Sequence, residues 1–144
     1  MSAAAKILIG ALAVIAIGWL THGPFGAGDS VVGGLESRAR STVAATEVPG
    51  IEVGMTRAPL TRTATLSGNA DRFQRDGQGE FKGLTARVDD IPGINGVGWS
   101  DEGGPPARLP LLAEALLMAT AAYLAGLGIG KALFGRRRKT SYLD

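Results

Sequence analysis

LPLLAEALLMATAAYLAGLGIG, residues 109–130, carries a single charge, Glu114, in twenty-two positions. As a helix rising 1.5 Å per residue it reaches about 33 Å, enough to cross a hydrocarbon core of about 30 Å. Pro110 falls in the expected first turn, where a missing N–H and a fixed φ are tolerated, and Pro105 and Pro106 keep the helix from running back into the preceding loop. Beyond it lies GRRRK, residues 135–139, with Lys131 just before. The tetrad Arg136, Arg137, Arg138 and Lys139 is the strongest topological signal in the chain and predicts a cytoplasmic C-terminus. Binding of anionic lipid or nucleic acid is the alternative for this cluster, but a stop-transfer role suffices.

At the other end, ILIGALAVIAIGWL, residues 7–20, is apolar apart from its glycines, and no charge occurs from Ile7 to Gly28. Fourteen residues span only about 21 Å, the length of a signal-peptide core. A cleaved signal wants small residues at −3 and −1, which Gly26 and Gly28 supply poorly. The anchor reading is preferred: Ala3 to Ala5 and the uncharged residues after Leu20 lengthen the helix, Lys6 snorkels towards head groups, and Trp19 and Tyr142 fit interfacial anchoring.

The whole chain has 144 residues, 45% of them apolar and 19% charged, so no second full-size domain fits beside two membrane segments. It has no cysteine and one histidine, His22, which removes disulfides, thiolate nucleophiles, Cys-based metal sites and any His-His metal pair within one chain. Residues 23–108 hold nine Lys/Arg and eleven Asp/Glu, and six Lys/Arg lie outside them. The pI of 9.3 therefore belongs to the ends of the chain. It is no nucleic-acid signature, because the middle shows no basic and aromatic interleaving.

That middle, residues 29–99, suits one small domain with a modest core and no deep substrate cavity. Asp29 or Ser30 offers an N-cap; Val32, Leu35, Ala39 and Val43 then recur at spacings of three and four, with Glu36 and Arg40 at i, i+4. This predicts a helix, ended by Pro49-Gly50. Ile51, Val53 and Met55 alternate with Glu52 and Gly54, and beyond the turn Arg57-Ala58-Pro59 the threonine-rich residues 60–66 are closed by Ser67-Gly68-Asn69, which predicts a hairpin. Phe81, Leu84, Val88 and Ile91, spaced three, four and three, predict a second helix broken by Pro92-Gly93, and Val97 and Trp99 alternate on a last short strand. The order is α-β-β-α-β, of α+β class. The expected organisation is a signal-anchor helix in residues 1–28, the domain in 29–100, a linker in 101–108, a second membrane helix in 109–134 and a basic tail in 135–144.

Two motifs carry a resemblance. Thr63-Ala-Thr-Leu66-Ser-Gly68 forms a strand ending in a Leu-Ser-Gly-like turn, and Gly93-Ile94-Asn95-Gly96-Val97 has the pattern Gly-[Val/Ile]-x-x-Val before a last strand. With the helix between them, the region is similar to the BON domain of bacterial envelope proteins, sometimes found beside OmpA-like domains. The resemblance covers about seventy residues and departs at the glycine-rich Asp76-Gly77-Gln78-Gly79, which shortens or delays the second helix. It implies association with membranes and phospholipid and supplies no catalytic residues. Physically, Gly68 can take φ > 0 after a strand and Gly93 can terminate a helix; no helix follows Gly93 to Gly98, so a nucleotide loop is not expected.

Asp89-Asp90 and Asp101-Glu102 lack the spacing of a calcium loop and read as a solvated helix end and a hydrophilic linker. His22 reads as an interfacial polar residue, with pH sensing or a shared site as the alternative. Glu114 is costly inside a spanning helix; it either snorkels or is neutral at the outer interface, contacts a partner, or takes part in proton transfer. Ala122, Gly126 and Gly130, four apart, form a helix-packing face for the first helix (Gly10, Ala13, Ile17), another copy or a foreign subunit. The expected protein is non-enzymatic, without cofactor or metal, in a bacterial inner membrane with both termini cytoplasmic and residues 29–108 periplasmic. Its expected partners are membrane lipids and an integral-membrane or periplasmic protein, with self-association open and nucleic acid excluded. The alternative is an accessory or assembly subunit of a respiratory or photosynthetic membrane complex.

Overall fold

The computed structural model describes residues 2–135, so Arg136, Arg137, Arg138, Lys139 and Tyr142 lie outside the described residues. Two helices, α1 (Ala3–His22) and α5 (Leu111–Phe134), are long and apolar enough to cross a membrane. At 20 and 24 residues they reach about 30 and 36 Å. Neither contains a buried residue, and side chains such as Leu8, Ile17, Leu117 and Met118 stand outward, as a lipid solvent favours. Pro110 is the N-cap of α5 and lies just outside the turn assigned to it from sequence. The helices run antiparallel against each other. Gly10 leaves room for Tyr123, and Gly18 for Leu116, whose side-chain atoms stand 2.0 and 2.7 Å from where a Cβ would lie; the Tyr123 hydroxyl donates to the Ile7 carbonyl at 3.1 Å.

Between them the chain is mixed helix and strand. The elements are α2 (Ala27–Ala44), β1 (Glu52–Arg57), β2 (Leu60–Ser67), α3 (Arg72–Asp76), β3 (Gly77–Gln78), β4 (Phe81–Lys82), α4 (Leu84–Asp89) and β5 (Gly96–Trp99). β2 is the centre of a three-stranded sheet, antiparallel to β1 and parallel to β5. Val53 opposite Leu66 and Met55 opposite Ala64 present one face to α2 and α4. The helical spacing on α2 is matched by burial: Val32, Leu35, Ala39 and Val43 are all in the core, with Leu84, Val88, Ile91, Ile94 and Trp99. Burying each large aliphatic of that set contributes roughly 1.5–3 kcal/mol, which is what a domain of this size has to offset chain entropy.

Three local expectations are corrected. α2 starts at Ala27 behind Gly26, whose φ of 70° no side chain favours, so Asp29 sits within the first turn instead of capping it. The second helix is shortened to Leu84–Asp89: Phe81 lies on β4, 74% exposed, because the glycines at 77 and 79 turn the chain into a short hairpin, and a separate one-turn helix, α3, started by a reciprocal capping box of Asp71 and Gln74, precedes it. Only Leu84, Val88 and Ile91 of the expected stripe reach the core.

The third concerns residues 101–108, expected as a linker. Ser100–Glu102 form a 3₁₀ turn, and residues 104–106 lie across β5. A Cβ on Gly98 would stand 2.4 Å from the Gly104 carbonyl and 2.5 Å from Pro105 Cα, and one on Gly96 would touch Pro106 at 3.3 Å. Gly98 serves close approach of backbone to backbone, and Gly96 admits the Pro106 ring. Gly98→Ala is expected to destabilise the protein by about 1–3 kcal/mol through this overlap, read as a lowered thermal midpoint in detergent, whereas Gly34→Ala, at a helical position with open space, leaves the midpoint unchanged or raises it.

Candidate functional site

The first turn of α5 is where the pair of long apolar helices meets the domain. The amide of Glu114 donates to the Pro110 carbonyl at 3.1 Å, which starts the helix, and a carboxylate in the first turn of a long helix is favoured by the exposed N–H groups there. Both carboxylate oxygens are taken by the domain. Arg62 Nε on β2 donates to Oε2 at 2.8 Å, and Asn95 Nδ2, just before β5, donates to Oε1 at 3.0 Å. Arg62 also donates to the Gly93 carbonyl at 3.1 Å, the Asn95 amide donates to the Arg62 carbonyl at 2.9 Å, and Arg108 Nε donates to the Asn95 carbonyl at 2.9 Å. The side chains of Arg62 and Glu114 are 32% and 22% exposed, so the pair is partly desolvated and less screened than a surface ion pair, and removing one partner strands the other. Leu111, one turn earlier on α5, packs against the domain core. Charge and apolar contact therefore hold the same helix end.

The motif residues frame this junction and its opposite pole. Leu66 is fully buried; Gly68 has φ 124°, and a Cβ there would stand 2.2 Å from the Gly50 carbonyl oxygen. Gly93, with φ 106°, closes over Leu35 and presents the carbonyl that Arg62 holds; Ile94 is buried and Val97 half-buried. From Arg62 to Gly68 the strand runs about 20 Å away from α5. At that far pole Arg75 stacks on Trp99 at 4.2 Å, and its guanidinium reaches Asp101 at 2.7 Å and Glu102 at 2.9 Å. Trp99 Nε1 donates to Thr85 at 3.0 Å. Asp101 and Glu102 thus lock α3 to the end of β5.

Other candidates fall elsewhere. A Cβ on Gly126 or Gly130 would meet nothing, and Ala122 is exposed, so this face of α5 is turned away from α1. Of the α1 residues proposed to meet it, Gly10 instead receives Tyr123. The His22 ring packs on Gly28 at the corner between α1 and α2. Lys6 and Trp19 are exposed on α1, and Asp90 pairs with Lys82 at 2.5 Å. Among the described residues no three His, Cys, Asp or Glu gather as a metal set. Arg62, Asn95 and Arg108 were not singled out from sequence; the one signal was a lone charge, Arg62, inside a threonine-rich strand.

The chain matches no protein-family model, no curated protein and no solved structure.

Two outcomes follow from the two clusters. Glu114→Ala leaves Arg62 with only a carbonyl partner and frees α5 from the domain; a loss of roughly 1–3 kcal/mol is expected, measured by thermal unfolding in detergent, together with faster proteolysis between residues 103 and 110. The Arg75 hydrogen bond holds the Asp101 carboxyl below the usual carboxylate range, against a smaller opposing effect of desolvation. A depressed folded pKa gives stability that is present above the unfolded value, about 3.9, and lost as pH falls through the folded one. The stability difference between the parent and Asp101→Asn is therefore expected to be constant above about pH 5 and to shrink in acid, in thermal scans across pH.

Proposed function

We propose that this chain is a non-enzymatic inner-membrane protein that holds a small periplasmic α/β domain against the bilayer for binding of lipid or of another envelope protein. The observation that carries the reading is the seating of the domain on its own apolar helices: Glu114 accepts from Arg62 and Asn95, and Leu111 packs against the core. A tethered recognition domain on a flexible linker needs no such contacts. A domain that must keep one face towards the head groups does.

The helix, hairpin, helix and strand order supports the BON-like resemblance, with α3 and the β3–β4 hairpin as an insertion between the two motifs. The charge distribution supports the orientation, since the basic cluster at residues 136–139 lies on the side of the membrane opposite the domain if both apolar helices span. The alternative, an accessory subunit of a larger complex, draws on the open face at Ala122, Gly126 and Gly130. Small residues facing outward serve lipid contact as well as helix contact, whereas the junction serves only a domain seated at the membrane, which favours the first reading.

The chain's lack of cysteine makes the orientation directly testable. Single cysteines at the exposed positions Ser37 and Asn69 are expected to react with a membrane-impermeant maleimide in intact spheroplasts, and cysteines at Ser2 and Ser141 only after the membrane is opened. The reverse pattern, or labelling of all four from outside, contradicts the proposal.

A further inference from the structure

Two phenylalanines stand in solvent on the side of the domain remote from α5. Phe73 on α3 is 54% exposed, Phe81 on β4 is more so, and neither joins the core. The elements that carry them are one turn of helix and a two-residue strand, held in place from outside. Arg75 ties α3 to Trp99, Asp101 and Glu102, and a Cβ on Gly83 would stand 2.4 Å from the Gly77 nitrogen, so the hairpin is closed tightly against the end of α3. This frame presents both rings outward.

The rings border a groove of about 290 Å³, lined also by Thr46, Val48, Leu84 and Arg87. Val48 is shared with a second hollow of about 400 Å³, walled by Val43, Ile51 and Arg40. Residues 48–51 belong to the same pole, because the Gly50 carbonyl packs on Gly68 at the far end of β2. An apolar surface thus runs from Ile51 past Val48 to Phe73 and Phe81. Single exposed apolar residues are ordinary, whereas a continuous patch marks an interaction surface, and aromatic and arginine side chains are those that interface centres favour. Its charge is positive: Arg40, Lys82 and Arg87 line the two hollows against one carboxylate, Glu52. Arg40 pairs with Glu36 and Lys82 with Asp90. Arg87 spends only its Nε, on the Lys82 carbonyl, and among the described residues no carboxylate pairs with it.

We propose that this surface docks a short protein segment that carries apolar side chains and an aspartate or glutamate. The apolar side chains lie between Val48, Phe73 and Phe81, and the carboxylate meets the terminal nitrogens of Arg87, whose planar guanidinium suits it. A bilayer that holds α5 is a strand's length away, about 20 Å, so its lipid does not reach the groove. This deepens the proposed function by giving the chemistry of the protein partner, and rests on it in one respect, that the far pole faces a compartment holding other envelope proteins.

The test takes the full chain in phosphatidylcholine nanodiscs and selects binders from a displayed library of random peptides of about twelve residues, with empty nanodiscs as the counter-selection. Enriched peptides are expected to combine aromatic or aliphatic residues with Asp or Glu, and their synthetic forms are titrated by fluorescence anisotropy. Phe81→Ser, at an exposed position, weakens binding about tenfold or more, as the loss of an anchoring ring does. Phe73→Ser repeats that test from a different element. Arg87→Glu weakens binding similarly, and a peptide whose carboxylates are replaced by lysine recovers binding to that variant, which a merely structural arginine would not allow. No enrichment over empty nanodiscs, a basic or uncharged consensus, or unchanged binding in both serine variants overturns the proposal. So does displacement of the peptide by phosphatidylglycerol vesicles, or a dimer of the chain that Phe81→Ser dissociates. Peptide binding is read without reference to sidedness and the maleimide pattern reads sidedness alone, so failure of the docking site and failure of the orientation are distinguishable.

Discussion

The fold depends on a single carboxylate in an expensive place. Glu114 lies on the first turn of a helix long and apolar enough to cross a membrane, and a charge carried on such a span is costly unless something answers it. What answers it is the domain: a guanidinium from the central strand and an amide from the turn before the last strand, with one bond to each oxygen. Removing the domain would leave the helix with an unpaired carboxylate, and removing the helix would leave Arg62 with only the Gly93 carbonyl and strip Leu111 from the edge of the core. Apolar helix pair and domain are thereby parts of one structure, although the sequence divides them by composition.

The rest of the architecture follows from that constraint. The loop between β5 and α5 must bring Arg108 and Leu109 to the junction, and it does so by crossing the sheet over Gly96 and Gly98, where no side chain stands in the way. α1 returns antiparallel to α5, with Gly10 and Gly18 admitting Tyr123 and Leu116, so the start of α5 and the end of α1 emerge together beneath the domain. At the far pole, Arg75 with Trp99, Asp101 and Glu102 closes the opposite end of the sheet by a cation, a ring and two carboxylates.

Legibility in the sequence divides along physical lines. Where a signal is periodic and local, it reads correctly: the two apolar helices, the buried stripe Val32, Leu35, Ala39 and Val43, and the hairpin of β1 and β2. The stripe through Phe81 misleads because helical spacing persists across two glycines with positive φ, and backbone geometry overrides spacing there. The capping box at Asp71 and Gln74 was readable and marks a helix too short to show a period. Glu114 stood out as a charge among apolar residues, yet its partners did not. Arg62 is 52 residues away and Asn95 is 19, and only the folding of β2 beside β5 brings both to one helix end. The close approach at Gly96 and Gly98 was not legible, because the chain that presses on them cannot be seen in their own neighbourhood.

The most direct measurement is a double-mutant cycle between Arg62 and Glu114, with Arg62→Gln, Glu114→Gln and the double variant compared by thermal unfolding of the full chain in detergent. If the carboxylate seats the domain on α5, the two single losses are strongly non-additive, with a coupling of about 1 kcal/mol or more. Additive losses, with no coupling between the two positions, would contradict the account.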